Sequence, residues 1–198
     1  MPLATSVIPR RIIRRMPDRS LLDRTLAAAK RDQQMVTSDG EPVRRLLHGV
    51  TVRPIATHVD ARGSVAELFD PRWGWSSDPL VFAYMFTIRP GMMKGWNLHR
   101  EHEDRYALIA GDLEVVLFDP RPDSPTCGEV CRIVMSDKAR CIVNIPVNVW
   151  HADRNVGAVD ALVVNFPTKA YDHEHPDKYR LPIDTDLIPF RFADSKGW

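Results

Sequence analysis

The stretch GWNLHREHEDRYALIAG, residues 95–111, carries two histidines three apart, His99 and His102, with Glu101, Glu103 and Asp104 among or beside them. Imidazole titrates near neutrality, so a histidine backed by a carboxylate can take a proton from a weak carbon acid. The same residue types can hold a transition metal through imidazole nitrogen and carboxylate oxygen. A third histidine, His151, follows in CIVNIPVNVWHADRNVG after a turn begun by Pro146. His173 and His175 have ligand-like spacing in YDHEHPDKYR, but that run reads as a solvated loop; His48 and His58 read as strand-edge residues. The opening stretch therefore allows proton abstraction, metal binding, or a polar strand edge with no chemistry.

Short strands must position these side chains. From Gly49 onward VTVRPIATHV alternates, VFAYMFTI at 81–88 is rich in aromatic and branched residues, and RYALIAGDLEVVLFD at 105–119 reads as a hairpin turning at Ala110-Gly111-Asp112. EVCRIVM, CIVNIP and DALVVNF follow at similar spacing, and many of the 16 prolines fall near strand ends. This pattern predicts an all-β sandwich or barrel. Ahead of it, Pro2, Pro9 and Pro17 interrupt an irregular start. Asp18 or Ser20 can cap a helix reaching to about Gln34, with Leu21, Leu22, Leu26 and Ala29 on one side, and SDGEP at 38–42 is a turn. The expected organisation is an N-terminal extension with one helix, residues 1–47, and one β domain, residues 48–198.

The composition narrows the function. A chain of 198 residues with 44% hydrophobic content supports one cored domain. With 27 basic against 26 acidic residues there is no charge surplus pointing to nucleic acid. No run approaches the ~18 apolar residues of a membrane helix, and the arginine-rich start lacks a secretory pattern. It reads as a solvated arm or a docking helix. Three cysteines, Cys127, Cys131 and Cys141, are an odd number and suggest a reducing cytoplasm.

Two segments that each bring a histidine to a strand mouth resemble the cupin pattern. In its second half, usually P-x-G-x-x-H-x-x-x-N, Pro146, Asn148, His151 and Asn155 stand in place. Asn148 replaces glycine, and asparagine tolerates positive φ better than most residues. In the first half, counting back from Gly111 gives Asp104, His99 and Asn97, so one metal-ligand histidine is an asparagine. His99, Asp104 and His151, with His102 nearby, still leave a metal site open.

Three further stretches extend the resemblance: DARGSVAELFD at 60–70, DPRPDSPTCG at 119–128, and IDTDL at 183–187. With Leu98-His99 and the Ile145-Pro146 to His151 segment, they make residues 48–192 similar to the dTDP-4-dehydrorhamnose 3,5-epimerase family. The resemblance implies a double-stranded β-helix, the cupin jelly roll, acting as a homodimer on a nucleotide sugar without metal or other cofactor. It makes His99 the base that removes a proton beside a 4-keto group, with Asp184 as its carboxylate partner. It sends Arg62 and Glu67 to the nucleotide, often across the dimer, and places His151 along the sugar. For Arg121 and Ser124 the preferred reading is a turn capped by Asp119.

The departures concern the rest of the machinery. The family's R-G-L-H reads Trp96, Asn97, Leu98, His99. Its enolate-holding lysine falls on Asp104, or on Arg105 if the register slips by one; Arg105 or His102 would have to compensate. Its acid tyrosine falls on Val164 or Asn165. The reading is an epimerase or isomerase of a 4-keto nucleotide sugar, with a non-catalytic sugar-nucleotide binder and a metal-dependent cupin as alternatives.

Overall fold

The computed structural model describes residues 19–76 and 78–192. Two compact units divide between Arg44 and Arg45. In the first, α1 (Arg19–Ala28) stops short of Gln34. The run from Lys30 to Gln34 is polar and exposed, and a short helix is marginal without packing against an apolar face. Asp18, the early prolines and Trp198 lie outside the described residues. The expected turn at 38–42 is closed by a bridge between Val36 and Pro42.

Among the described residues the second unit carries twelve strands: β1 (Thr51–Pro54), β2 (Thr57–Asp60), β3 (Gly63–Ala66), β4 (Tyr84–Ile88), β5 (Met93–Leu98), β6 (Asp104–Ala110), β7 (Asp112–Phe118), β8 (Val130–Ser136), β9 (Cys141–Ile145), β10 (Trp150–Asn155), β11 (Ala161–Asn165) and β12 (Tyr179–Arg180). They form two five-stranded antiparallel sheets, ordered β1-β9-β6-β11-β4 and β12-β5-β10-β7-β8, while β2 and β3 pair as a separate hairpin. This is the expected all-β jelly roll.

The expected hairpin at Gly111 is overturned. β6 and β7 lie in different sheets, so the chain crosses from one layer to the other at that glycine. Gly111 has φ 84°, and a Cβ there would stand 2.9 Å from the carbonyl oxygen of Asp160. The turn sequence is real; what it joins is two walls rather than two neighbours. The true hairpin is β7–β8, closed by residues 119–129. At its entry Asp119 accepts from the Arg121 backbone N–H (3.0 Å) and Nε (2.8 Å), Ser124 Oγ (2.5 Å) and Thr126 Oγ1 (2.7 Å), which is the turn network expected there.

The main core lies between the sheets, around Leu108, Val115, Leu117, Met135, Val143 and Val163. Both outer faces are covered as well. Leu68, Phe69 and Trp75 lie on Ala107 and Ile142. On the other side Ile183, Ile188 and Phe190 pack with Trp96, Val116 and Ala152. Strands buried on both faces show as continuous apolar runs instead of alternation, as at Val115–Phe118.

Candidate active site

Alternation along β5 sends Trp96 to the outer cluster and turns Asn97 and His99 inward. β6 opens with Asp104, whose side chain is only 1% exposed. Around that carboxylate three imidazoles converge. His99 Nε2 stands 3.3 Å from Asp104 Oδ2, His151 Nε2 3.5 Å from the same oxygen, and His102 Nε2 3.7 Å from Oδ1. The rings of His99 and His102 are 4.1 Å apart, centre to centre. Asn165 Nδ2 donates to Asp104 Oδ1 at 2.7 Å and to the Tyr84 hydroxyl at 3.0 Å.

A remote segment completes the cluster. The carbonyl of Asp177 accepts from His99 Nδ1, fixing the tautomer that leaves Nε2 to gain or lose a proton. The Asp177 carboxylate takes the backbone N–H of Arg100 (2.9 Å) and of Glu101 (2.8 Å) and lies 3.0 Å from His102 Nδ1. One aspartate thereby fixes both the loop and two rings. Asn148, at φ 61°, makes the left-handed turn expected of it and donates its N–H to the His99 carbonyl at 2.7 Å.

The electrostatics separate the three rings. Burial pulls the pKa of His99 down, but the hydrogen bond and charge of Asp104 outweigh it, and the net shift is upward. For His102, burial and then the neighbouring His99 give a net fall. His151 is pushed down to about 4, chiefly by burial. Asp104 itself stays ionised: burial opposes this, but His99, His151 and Asn165 hold its carboxyl below the usual range. One imidazole is thus poised to carry a proton between two kept neutral, the separation that assigns acid and base roles.

His99 and His102 line a cavity of about 310 Å³ with Tyr84, Lys169, Lys178 and Arg180. A neighbouring cavity of about 500 Å³ shares Tyr84, Lys178 and Arg180 and reaches Tyr106 and Asp153. Asp153, 1% exposed, is pushed up to about 8 by burial and then by Asp104, which favours its neutral form. Lys169, Lys178 and Arg180, with the phenols of Tyr84 and Tyr171, therefore face the space beside the histidines, and Lys94 and Tyr106 face the adjoining one.

Not every expected residue joins this group. Asp184 is exposed, whereas His99 Nδ1 is bonded to the Asp177 carbonyl and the carboxylate near its Nε2 is that of Asp104. The neighbouring Ile183 packs on the outer face of the sheet, whereas His99 points inward. The carboxylate beside His99 is Asp104. Arg105 is also corrected: it is fully buried and points outward, donating to the carbonyls of Phe166 (2.6 Å), Asp78 (3.0 Å) and Pro79 (3.1 Å), so it clamps the outer cover and is not free to meet a ligand. His151 stands behind His99 and lines neither cavity. Arg62 pairs with Asp60 on the exposed β2–β3 hairpin, and Glu67 is exposed just beyond it; neither lines these cavities. Sequence reasoning missed Asp177, Lys178 and Arg180, although all three stand in the YDHEHPDKYR run flagged for its histidines.

His99, Asp104 and His151 could also hold a metal, since one ligand atom from each lies within 4.8 Å of the others. The donor types suit a divalent transition metal. Both ring nitrogens of His151 are buried with no hydrogen-bond partner among the described residues.

Residues 58–179 match the family described as polysaccharide biosynthesis C-terminal domain. The chain is 35% identical over 140 residues to a protein of Haloferax volcanii described as a probable low-salt glycan biosynthesis epimerase, covering 70% of this chain and 89% of that one. It is 29% identical over 153 residues to a spore coat polysaccharide biosynthesis protein of Bacillus subtilis, covering 74% and 97%. Among solved structures, a dTDP sugar isomerase of Desulfovibrio desulfuricans G20 is similar with a TM-score of 0.69 at 25% identity, over 76% of this chain and 94% of that one. A dTDP-4-dehydrorhamnose 3,5-epimerase of Elizabethkingia anophelis shares the fold, with a TM-score of 0.62 at 15% identity over 75% and 83%.

Proposed function

We propose that this chain, which belongs to the polysaccharide biosynthesis C-terminal domain family, is an epimerase of a 4-keto nucleotide sugar that works by moving a proton beside the carbonyl. One observation carries the reading: His99 Nε2 sits 3.3 Å from the buried Asp104 carboxylate, and His99 lines a cavity shared with Lys178 and Arg180. Nε2 of neutral His99 removes the proton, and Asp104 stabilises the imidazolium that results. Lys178 and Arg180 supply positive charge for the enolate oxygen and for the diphosphate. The relatives named as a glycan biosynthesis epimerase and a dTDP sugar isomerase support this class of substrate and reaction.

We read the protein as a cytoplasmic homodimer. Cys127 and Cys131 are free thiols, and no helix of the described residues is long and apolar enough to cross a membrane. Arg62 and Glu67, exposed beyond the cavities, are assigned to the nucleotide in the partner's site.

The test is incubation with dTDP- and UDP-linked 4-keto-6-deoxyhexoses in deuterated water. Deuterium enters the carbon beside the keto group, and His99→Gln slows entry by about 10³-fold or more. No deuterium entry with the unaltered protein would sink the enzyme reading; a raised melting temperature without turnover would then mark a binder.

A second reading, a metal-dependent cupin, is favoured by the unpartnered nitrogens of His151. It requires about one metal ion per chain by elemental analysis, lost in His99→Ala. A metal-free protein that still exchanges protons removes it.

A further inference from the structure

The sequence leaves a gap where a second proton-transfer group should stand, because the place at which the resembled family has its acid falls on Val164 or Asn165. The structure shows what lies across from that asparagine. β11 pairs with β4 in a register that sets Asn165 opposite Tyr84. Opposed residues of an antiparallel pair share a face, so Tyr84 turns toward the same interior as Asn165. The contact is direct: Asn165 Nδ2 donates to the Tyr84 hydroxyl oxygen at 3.0 Å. The phenol oxygen is therefore an acceptor in that bond and keeps its own hydrogen to give. Among the described residues nothing accepts it.

Its position is as informative as its bonding. Tyr84 lies on the edge strand of one sheet, and His99 follows β5 in the other. Both side chains line the 310 Å³ cavity, and Tyr84 also lines the adjoining one. A ligand in that space meets the imidazole from the one sheet and the phenol from the other. Inversion at carbon needs this arrangement, because the proton must leave from one face and return from the other. Burial and the nearby Asp104 charge keep the phenol neutral, its pKa pushed up to about 12, so its hydrogen is in place at neutral pH.

Resting on the epimerase reading, we propose that Tyr84 is the catalytic acid that returns a proton to the face opposite His99. His99 Nε2 takes the proton from the carbon beside the carbonyl; that C–H bond breaks, and its electron pair forms the C=C of the enolate. The Tyr84 O–H then breaks as its proton bonds to the other face of the same carbon, and the enolate pair restores the carbonyl. The phenolate recovers a proton from water and the imidazolium returns one to water, so the sugar gains no net proton and no electron donor is needed. Asn165, bonded to both Tyr84 and Asp104, is a positioning residue between the two.

The test separates exchange from inversion. Tyr84→Phe removes only the hydroxyl. Incubated with the same dTDP- and UDP-linked 4-keto-6-deoxyhexoses in deuterated water, it retains deuterium entry within about tenfold of the unaltered protein, because His99 still removes and returns protons on its own face. Formation of the inverted sugar falls by about 10²-fold or more, the usual scale for loss of a general acid. Inversion at the unaltered rate overturns the proposal and leaves the epimerase reading standing. Equal loss of exchange and inversion also overturns it, since Tyr84 would then serve binding or shape. Absence of exchange in the unaltered protein defeats the epimerase reading itself, and the proposal with it.

Discussion

Asp104 and Asp119 are both sealed from solvent, 1% and 0% exposed, yet their surroundings differ in kind. Asp119 is held by hydrogen bonds from Arg121, Ser124 and Thr126, all within its own turn. None of those donors changes charge near neutral pH, so the carboxylate is fixed in one state. Asp104 has one short bond of this sort, from Asn165, and a longer one from the Tyr106 hydroxyl (3.4 Å); otherwise it faces three imidazoles at 3.3 to 3.7 Å, drawn from two separate stretches of the chain. A buried charge saturated by permanent donors builds architecture; a buried charge surrounded by titratable groups beside a cavity can drive chemistry. The first is redundant and local, and the second is sparse and long-range.

The comparison can be broken most directly at Asp104. Asp104→Asn should slow deuterium entry into the keto-sugar probe by about 10³-fold, the scale on which removal of a charge behind a catalytic histidine acts. Its melting temperature should stay within about 5 °C of the unaltered protein. A large drop in melting temperature with unchanged exchange per folded molecule would make Asp104 another Asp119. The converse substitution, Asp119→Ala, should cost about 2 kcal/mol of stability by denaturant unfolding, because it strands the half-buried donors of Arg121, Ser124 and Thr126 at once. Exchange per folded molecule should change by less than about twofold. The smallest effect is in pH. The carboxyl of Asp119 is held below its ordinary range, with burial opposing and the hydrogen bonds of Arg121, Ser124 and Thr126 prevailing. Its stabilisation is therefore complete above the unfolded carboxyl's pKa of about 4 and is lost as pH falls further, through the folded value. The gap in melting temperature between the unaltered protein and Asp119→Asn should be constant from pH 7 to about 5 and narrow below about 4. A gap that widens on acidification would reverse the assigned sign.

The two aspartates also mark how far the sequence could be read. The D-x-R-x-x-S-P-T-x-G run that makes the Asp119 turn lies within ten residues, so its donors and acceptor are visible together. The left-handed turn at Asn148 and the inward histidines were legible for the same reason. The partner of His99 was misread as Asp184, because the carboxylate beside it could come from any segment that the roll folds inward. Asp104 was in view, but as an obstacle to an enolate; its place between three rings was not. Arg105 failed on parity: one step along a strand exchanges the interior for the outer cover, and nothing local says which of Asp104 and Arg105 faces which way.

The residue types and the strand spacing alone settled that this chain is an all-β sandwich or barrel with histidines at strand mouths, and the motif resemblance narrowed it to a jelly roll, because those signals act over a few residues. Tertiary structure decided which carboxylate charges which ring, that Gly111 joins two walls, and that Tyr84 and His99, from different sheets, line one cavity. Those facts depend on strand order and on segments up to eighty-one residues apart, such as Tyr84 and Asn165. A period-two pattern fixes which residues share a face of one strand, and only the closing of two sheets fixes what that face meets.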